Sequence, residues 1–139
     1  MAMIVISGAV ACTSLGNLDE LRAGNRQNLV RLNLGMTKQE VLKLMGTESK
    51  TDSYANYEQL TVTNPYRNET YQVGGNVLEV LYYYTGKKHI TRVGPYGYSQ
   101  ATQITDDELT PILLENGKVI GWGSSALGDA VQKYEIRVR

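Results

Sequence analysis

The chain has 139 residues, 42% of them hydrophobic, with 14 Lys plus Arg set against 14 Asp plus Glu. Zero formal charge and a pI near 6.6 argue against a nucleic-acid binder, whose electrostatic footprint is basic. One Cys and one His exclude an intramolecular disulfide and cannot complete a four-ligand zinc site.

The first segment, Met1 to Cys12, is an apolar run too short for a transmembrane helix, which needs roughly 20 residues. Its small-residue end suits the h-region and cleavage site of a secretory signal. Ala9-Val10-Ala11-Cys12 resembles the bacterial lipobox, in which the Cys is acylated and becomes the first residue of the mature chain. The resemblance implies two acyl chains on that terminus, the number that lasting membrane attachment needs. Thr13 in place of Asp then implies transfer to the outer membrane. No Lys or Arg precedes the run, a departure that a start upstream of Met1 explains. The other reading of these residues is a buried strand over Ile4 to Ile6 followed by an inert core thiol.

Residues 13–24 are small and polar and read as a tether running into a helix from about residue 22, with Leu21, Leu29 and Leu32 at helical spacing and Asn25 and Asn28 as interruptions. Thr37-Lys38-Gln39-Glu40 is a capping box with Met36 and Val41 at the staple positions. Val41, Leu42, Leu44 and Met45 give an apolar face and Gly46 a helix stop, which predicts a short helix over 37–45. From there the period falls to two. Strands are predicted at 58–63 and 76–85, and at 111–115 and 118–122 around Asn116-Gly117, a strong type I′ hairpin signal. Residues 86–108 read as a long loop or insertion. The C-terminus fits a short helix near 126–132 and an extended, cationic end.

Leu34-Gly35-Met36-Thr37, followed by a helix with Val41 at its first apolar position and by Gly46, resembles the signature of the SmpA/OmlA/BamE lipoprotein domain. Asn116-Gly117-Lys118 and Gly121-Trp122 are similar to the ending of that superfamily's last strands. The resemblance covers about residues 12–124. It departs where Thr47 replaces the usual Pro and in the length of 86–108. It implies an α+β fold in which two N-terminal helices pack on one face of a three- to four-stranded antiparallel sheet. The organisation expected is a signal-peptide remnant over 1–11, the lipidated Cys12 and tether over 12–24, and a single BamE-like domain over 25–139.

Catalytic groups are scarce. His89 sits in the cluster Gly86-Lys87-Lys88-His89-Ile90-Thr91-Arg92 and reads as a solvated loop residue, with no nucleophile or carboxylate to complete a triad. Asp106-Asp107-Glu108 lacks the alternate spacing of a calcium loop and reads as a helical turn. No metal or cofactor is expected. Ten Tyr with no Phe favours half-wet positions, where the ring packs and the hydroxyl meets water. On the strand 76–85, Leu78, Val80, Tyr82 and Tyr84 share one face, and Leu81 and Tyr83 the other. Two helices cover only one face, so Leu81 and Tyr83 are expected on an open contact surface. The alternative is that a loop over 64–71, carrying Tyr66 and Arg67, folds back across it.

These readings converge on a non-enzymatic, lipid-anchored periplasmic domain of the outer membrane. It would be held to the membrane through Cys12 and would bind an envelope protein through Leu81, Tyr83, Tyr66 and Arg67. The competing reading, which the shared architecture permits, is an inhibitor of a periplasmic or extracellular hydrolase acting through a loop at Arg92 to Tyr98.

Overall fold

The computed structural model describes residues 17–53, 59–86 and 104–134, and the backbone of 91–94 and 97–100. Two helices come first: α1 (Asn17–Leu29) and α2 (Lys38–Met45). A hairpin follows, β1 (Ser49–Ser53) with β2 (Gln59–Thr63), then β3 (Arg67–Val73) and β4 (Asn76–Tyr84). A second hairpin, β5 (Thr91–Gly94) with β6 (Gly97–Gln100), leads to β7 (Leu109–Glu115), β8 (Lys118–Trp122) and α3 (Ser124–Tyr134). The main sheet is antiparallel with order β3-β4-β7-β8, and each hairpin forms its own two-stranded sheet. The fold is therefore α+β.

Helix α1 starts earlier than the tether reading allows. Its first amides are capped by a distant carboxylate: Asp52 on β1 accepts from Asn17 N at 2.8 Å and Leu18 N at 3.2 Å. A carboxylate there also meets the positive end of the helix dipole. The buried stripe is Leu18, Leu21, Arg22 and Asn25. Asn25 continues the stripe and does not interrupt it.

Helix α2 follows its capping signal. Thr37 Oγ1 accepts from Glu40 N at 3.2 Å, and the Glu40 carboxylate receives the Thr37 hydroxyl in return. Gly46 closes the helix at φ +81, with its amide donating to Leu42 O at 2.9 Å. The Asn116-Gly117 turn has φ of +51 and +83, the left-handed pair that a type I′ turn requires.

Both faces of the main sheet are covered, which corrects two expectations. Leu78, Val80, Tyr82 and Tyr84 of β4 share a core with Leu18 and Leu21 of α1, Val62 of β2 and Ala130 of α3. Leu81 and Tyr83 share a second core with Val41 and Met45 of α2, Ile112, Leu114 and Val119. The two N-terminal helices therefore contribute to opposite faces. Leu81 and Tyr83 are fully buried and form no open surface. Helix α2 covers the face expected to be open, while α3 and the β1–β2 hairpin complete the layer over the α1 face. At the α3 crossing, a Cβ on Gly121 would lie 3.1 Å from Ala126 Cβ, so the helix sits close on β8.

A buried amide pair ties the segments together. Asn25 Nδ2 donates to Asn64 Oδ1 at 3.0 Å and to Tyr84 O at 2.8 Å. Asn64 Nδ2 donates to Asn25 Oδ1 at 2.8 Å and to Met45 O at 3.1 Å. The pair thus joins α1, the end of α2, the β2–β3 junction and the end of β4.

The connector between α1 and α2 runs along β8. Gly35 N donates to Val119 O and Val119 N to Met36 O, each at 2.8 Å, and Lys38 N donates to Gly117 O at 3.1 Å. No helix among the described residues is long and apolar enough to cross a membrane.

Candidate interaction site

Edge strand β3 stands where the alternative reading placed a loop over 64–71. It is polar and alternates between half-buried and exposed residues, which is why its sequence lacks an apolar period. Its register with β4 sets Arg67 opposite Tyr82, Glu69 opposite Val80 and Tyr71 opposite Leu78. Side chains two apart share a sheet face, so Arg67, Glu69 and Tyr71 stand in a row beside Tyr82.

The four groups are bound to one another. The Arg67 guanidinium lies 4.2 Å from the centroid of the Tyr82 ring, within cation–π range. Arg67 Nε is 3.1 Å from Glu69 Oε1, an ion pair whose angle does not make a hydrogen bond. Glu69 Oε2 accepts from Tyr71 OH at 2.5 Å and Tyr82 OH at 3.3 Å. From the 3-10 turn Asp106–Glu108, Asp106 Oδ1 accepts from Arg67 Nη1 at 3.0 Å. Tyr66, 38% exposed, adjoins the cluster and is held by its amide bond to Tyr82 O at 2.7 Å.

The electrostatics fix protonation states. Loss of water and the bond to Glu69 push the Tyr71 hydroxyl up to about 12. Burial also raises Tyr82. Burial opposes the Arg67 charge, but bonds to Tyr82 and Asp106 and the fields of Asp106 and Glu69 outweigh it, so its pKa rises. The cluster presents fixed charge and two aromatic rings, with both phenols protonated at neutral pH. This is the composition of a binding surface, in which Tyr and Arg are the enriched anchors.

Of the residues singled out from sequence, Tyr66 and Arg67 meet here, and Leu81 and Tyr83 lie in the core behind the sheet. Cys12, His89, the strand reading at Ile4 to Ile6 and the extended end at 135–139 fall outside the described residues. Asp106, read as a turn residue, is a partner of Arg67. Glu69, Tyr71 and Tyr82 were missed as a group because they converge only once β3 pairs with β4. Tyr66 and Arg67 beside the Tyr-rich strand were the available signal. Among the described residues no group of three or more His, Cys, Asp or Glu side chains could hold a metal ion.

The fold and this surface define a small α+β domain with a pre-ordered aromatic and charged patch on an edge strand. The chain belongs to the DUF3192 family, described as proteins of unknown function, which matches residues 2–129. No curated protein and no solved structure matches it.

Proposed function

We propose that this chain is a non-enzymatic, protein-binding domain of the bacterial cell envelope, lipid-anchored through Cys12 at the periplasmic face of the outer membrane. It docks an envelope protein through Tyr66 and the Arg67–Glu69–Tyr71–Tyr82 cluster. The observation that carries this reading is the cluster itself: an Arg stacked on a Tyr at 4.2 Å, its neighbours already hydrogen-bonded, on the edge of a sheet. Ordering the anchors before contact lowers the entropic cost of binding. The lipobox-like Ala9 to Cys12 and the SmpA/OmlA/BamE-like stretch Leu34 to Gly46 support the address and the class. A cross-linked pull-down from intact cells carrying the full-length gene tests it, comparing wild type with Tyr66→Ala/Arg67→Ala. Loss of an envelope partner in the double variant, at equal protein level, is the expected result; equal recovery refutes the assignment of this face. Mass spectrometry of the same material reads the acylation of Cys12.

A second reading, inhibition of a hydrolase, is favoured by one feature. The β5–β6 pair, in which Arg92 faces Ser99 and Val93 faces Tyr98, stands as its own sheet across the Arg92 to Tyr98 stretch. Stoichiometric slowing of a periplasmic hydrolase by the purified chain would select it.

A further inference from the structure

The turn between α1 and α2 exposes two aliphatic side chains that folding does not use. Val30 is 83% exposed and Leu34 68%, the highest values among the large hydrophobic residues described as exposed. Leu34 occupies the second position of a turn closed by Met36 N donating to Asn33 O at 3.3 Å, with Gly35 third at φ +86. That position tolerates Pro and most polar residues, so the turn does not demand leucine.

The tip is held rigidly. Leu32, between the two exposed residues, is buried in the core beneath α2. The bonds of Gly35 and Met36 to β8 and of Lys38 to Gly117 in the preceding turn fasten the other side. Arg31 is exposed beside Val30, and exposed Lys118 faces Thr37 across an isolated bridge. Neither cation has an ion-pair partner among the described residues. The acid opposite Lys118 in the hairpin register, Glu115, instead accepts from Tyr134 OH at 2.8 Å, and the acid nearest Arg31 in sequence, Glu40, is turned back onto the Thr37 hydroxyl.

We propose that this turn is a membrane-docking tip, with Val30 and Leu34 entering the head-group boundary of an anionic phospholipid bilayer and Arg31 and Lys118 meeting its phosphates. The chemistry favours lipid over a protein partner. Protein contact surfaces centre on aromatic anchors, with Lys depleted, and this tip has no aromatic residue, whereas protruding aliphatics flanked by Arg and Lys match the interfacial zone of a bilayer. The inference rests on the membrane-proximal placement proposed above. It would give the tethered domain a second foothold and so a defined orientation.

The test uses the full chain with Cys12→Ser, so that acylation cannot supply the binding. It is co-sedimented with vesicles of phosphatidylethanolamine and phosphatidylglycerol, and with neutral phosphatidylcholine vesicles. Binding to the anionic vesicles that weakens with added salt is expected. Val30→Asn/Leu34→Asn should reduce that binding by about tenfold or more, since two apolar side chains lose their burial. Arg31→Glu should reduce it selectively on anionic lipid. Both sites are exposed, and an unchanged melting curve confirms that the variants fold. No binding to either vesicle, binding that survives the double substitution, or a solution dimer abolished by that substitution each overturns the proposal. Failure of acylation at Cys12 in cells, read separately by mass, bears on the anchor and leaves this result standing.

Discussion

Substituting Asn25→Ala tests whether the buried amide pair is the joint of this fold. The substitution removes two donated bonds, to Asn64 Oδ1 at 3.0 Å and Tyr84 O at 2.8 Å, and one accepted from Asn64 Nδ2 at 2.8 Å. Asn64 Nδ2 keeps Met45 O, but Asn64 Oδ1 and Tyr84 O lose a donor where Asn25 and Asn64 are almost wholly buried. Each buried acceptor that loses a donor costs about 1–3 kcal/mol. Two of them near the lower end, with a small cavity added, give a loss of about 3 kcal/mol. For a chain of 139 residues that corresponds to a melting temperature lower by about 10 °C. Urea unfolding followed by far-UV circular dichroism measures it directly. Asn64→Ala completes a cycle in which the double variant loses about 1–2 kcal/mol less than the sum of the singles. A loss below about 1 kcal/mol for Asn25→Ala, or strict additivity, would show that the amides do not act as a pair.

Tyr83 is fully buried, and its hydroxyl has no hydrogen-bond partner among the described residues. Tyr83→Phe should therefore leave stability unchanged or raise it by about 1 kcal/mol; a clear loss in urea unfolding would mean that the hydroxyl is satisfied. Asp52→Ala removes the carboxylate that caps α1 and should cost about 1 kcal/mol, with Asp52→Asn retaining part of it in the same assay. The Tyr71 hydroxyl, with an ordinary value of 10.0, is raised to about 12 in the fold. The folded state holds that proton more tightly, so its contribution is complete below pH 10 and is lost as pH rises through about 12. Ultraviolet titration of wild type against Tyr71→Phe should show one phenol missing from the late-ionising set, and its absence from the early set instead would contradict the bond to Glu69.

The parts legible in the sequence were those whose signals are local. Thr37, Glu40 and Gly46 specify both ends of α2 within ten positions, and Asn116-Gly117 specifies its hairpin in two. Helix α1 was legible only from its apolar leucines, because its cap, Asp52, lies 35 positions from Asn17. Asn25 looked like an interruption since a buried amide is tolerable only with partners, and those partners sit on other elements. Strands β1 and β3 carry polar residues on narrow, half-covered edges, so they show no apolar alternation. The open face assigned to Leu81 and Tyr83 followed from counting helices. In the fold α2 is the helix whose buried residues close that face, and α3, expected at the C-terminus, packs beside Leu113 on the α1 face. The Arg67 cluster was half visible: its cation and Tyr66 are adjacent in the chain, whereas Glu69, Tyr71 and Tyr82 join them only through strand register.

The connector lying along β8 has a consequence for assembly. Unlimited growth by strand addition needs a free border at each end of a sheet. Here the chain's own linker already bonds to Val119 near the start of β8, and β3 is the opposite border of the main sheet. Two copies meeting through β3 would pair border to border about a two-fold axis, an isologous contact that closes as a dimer.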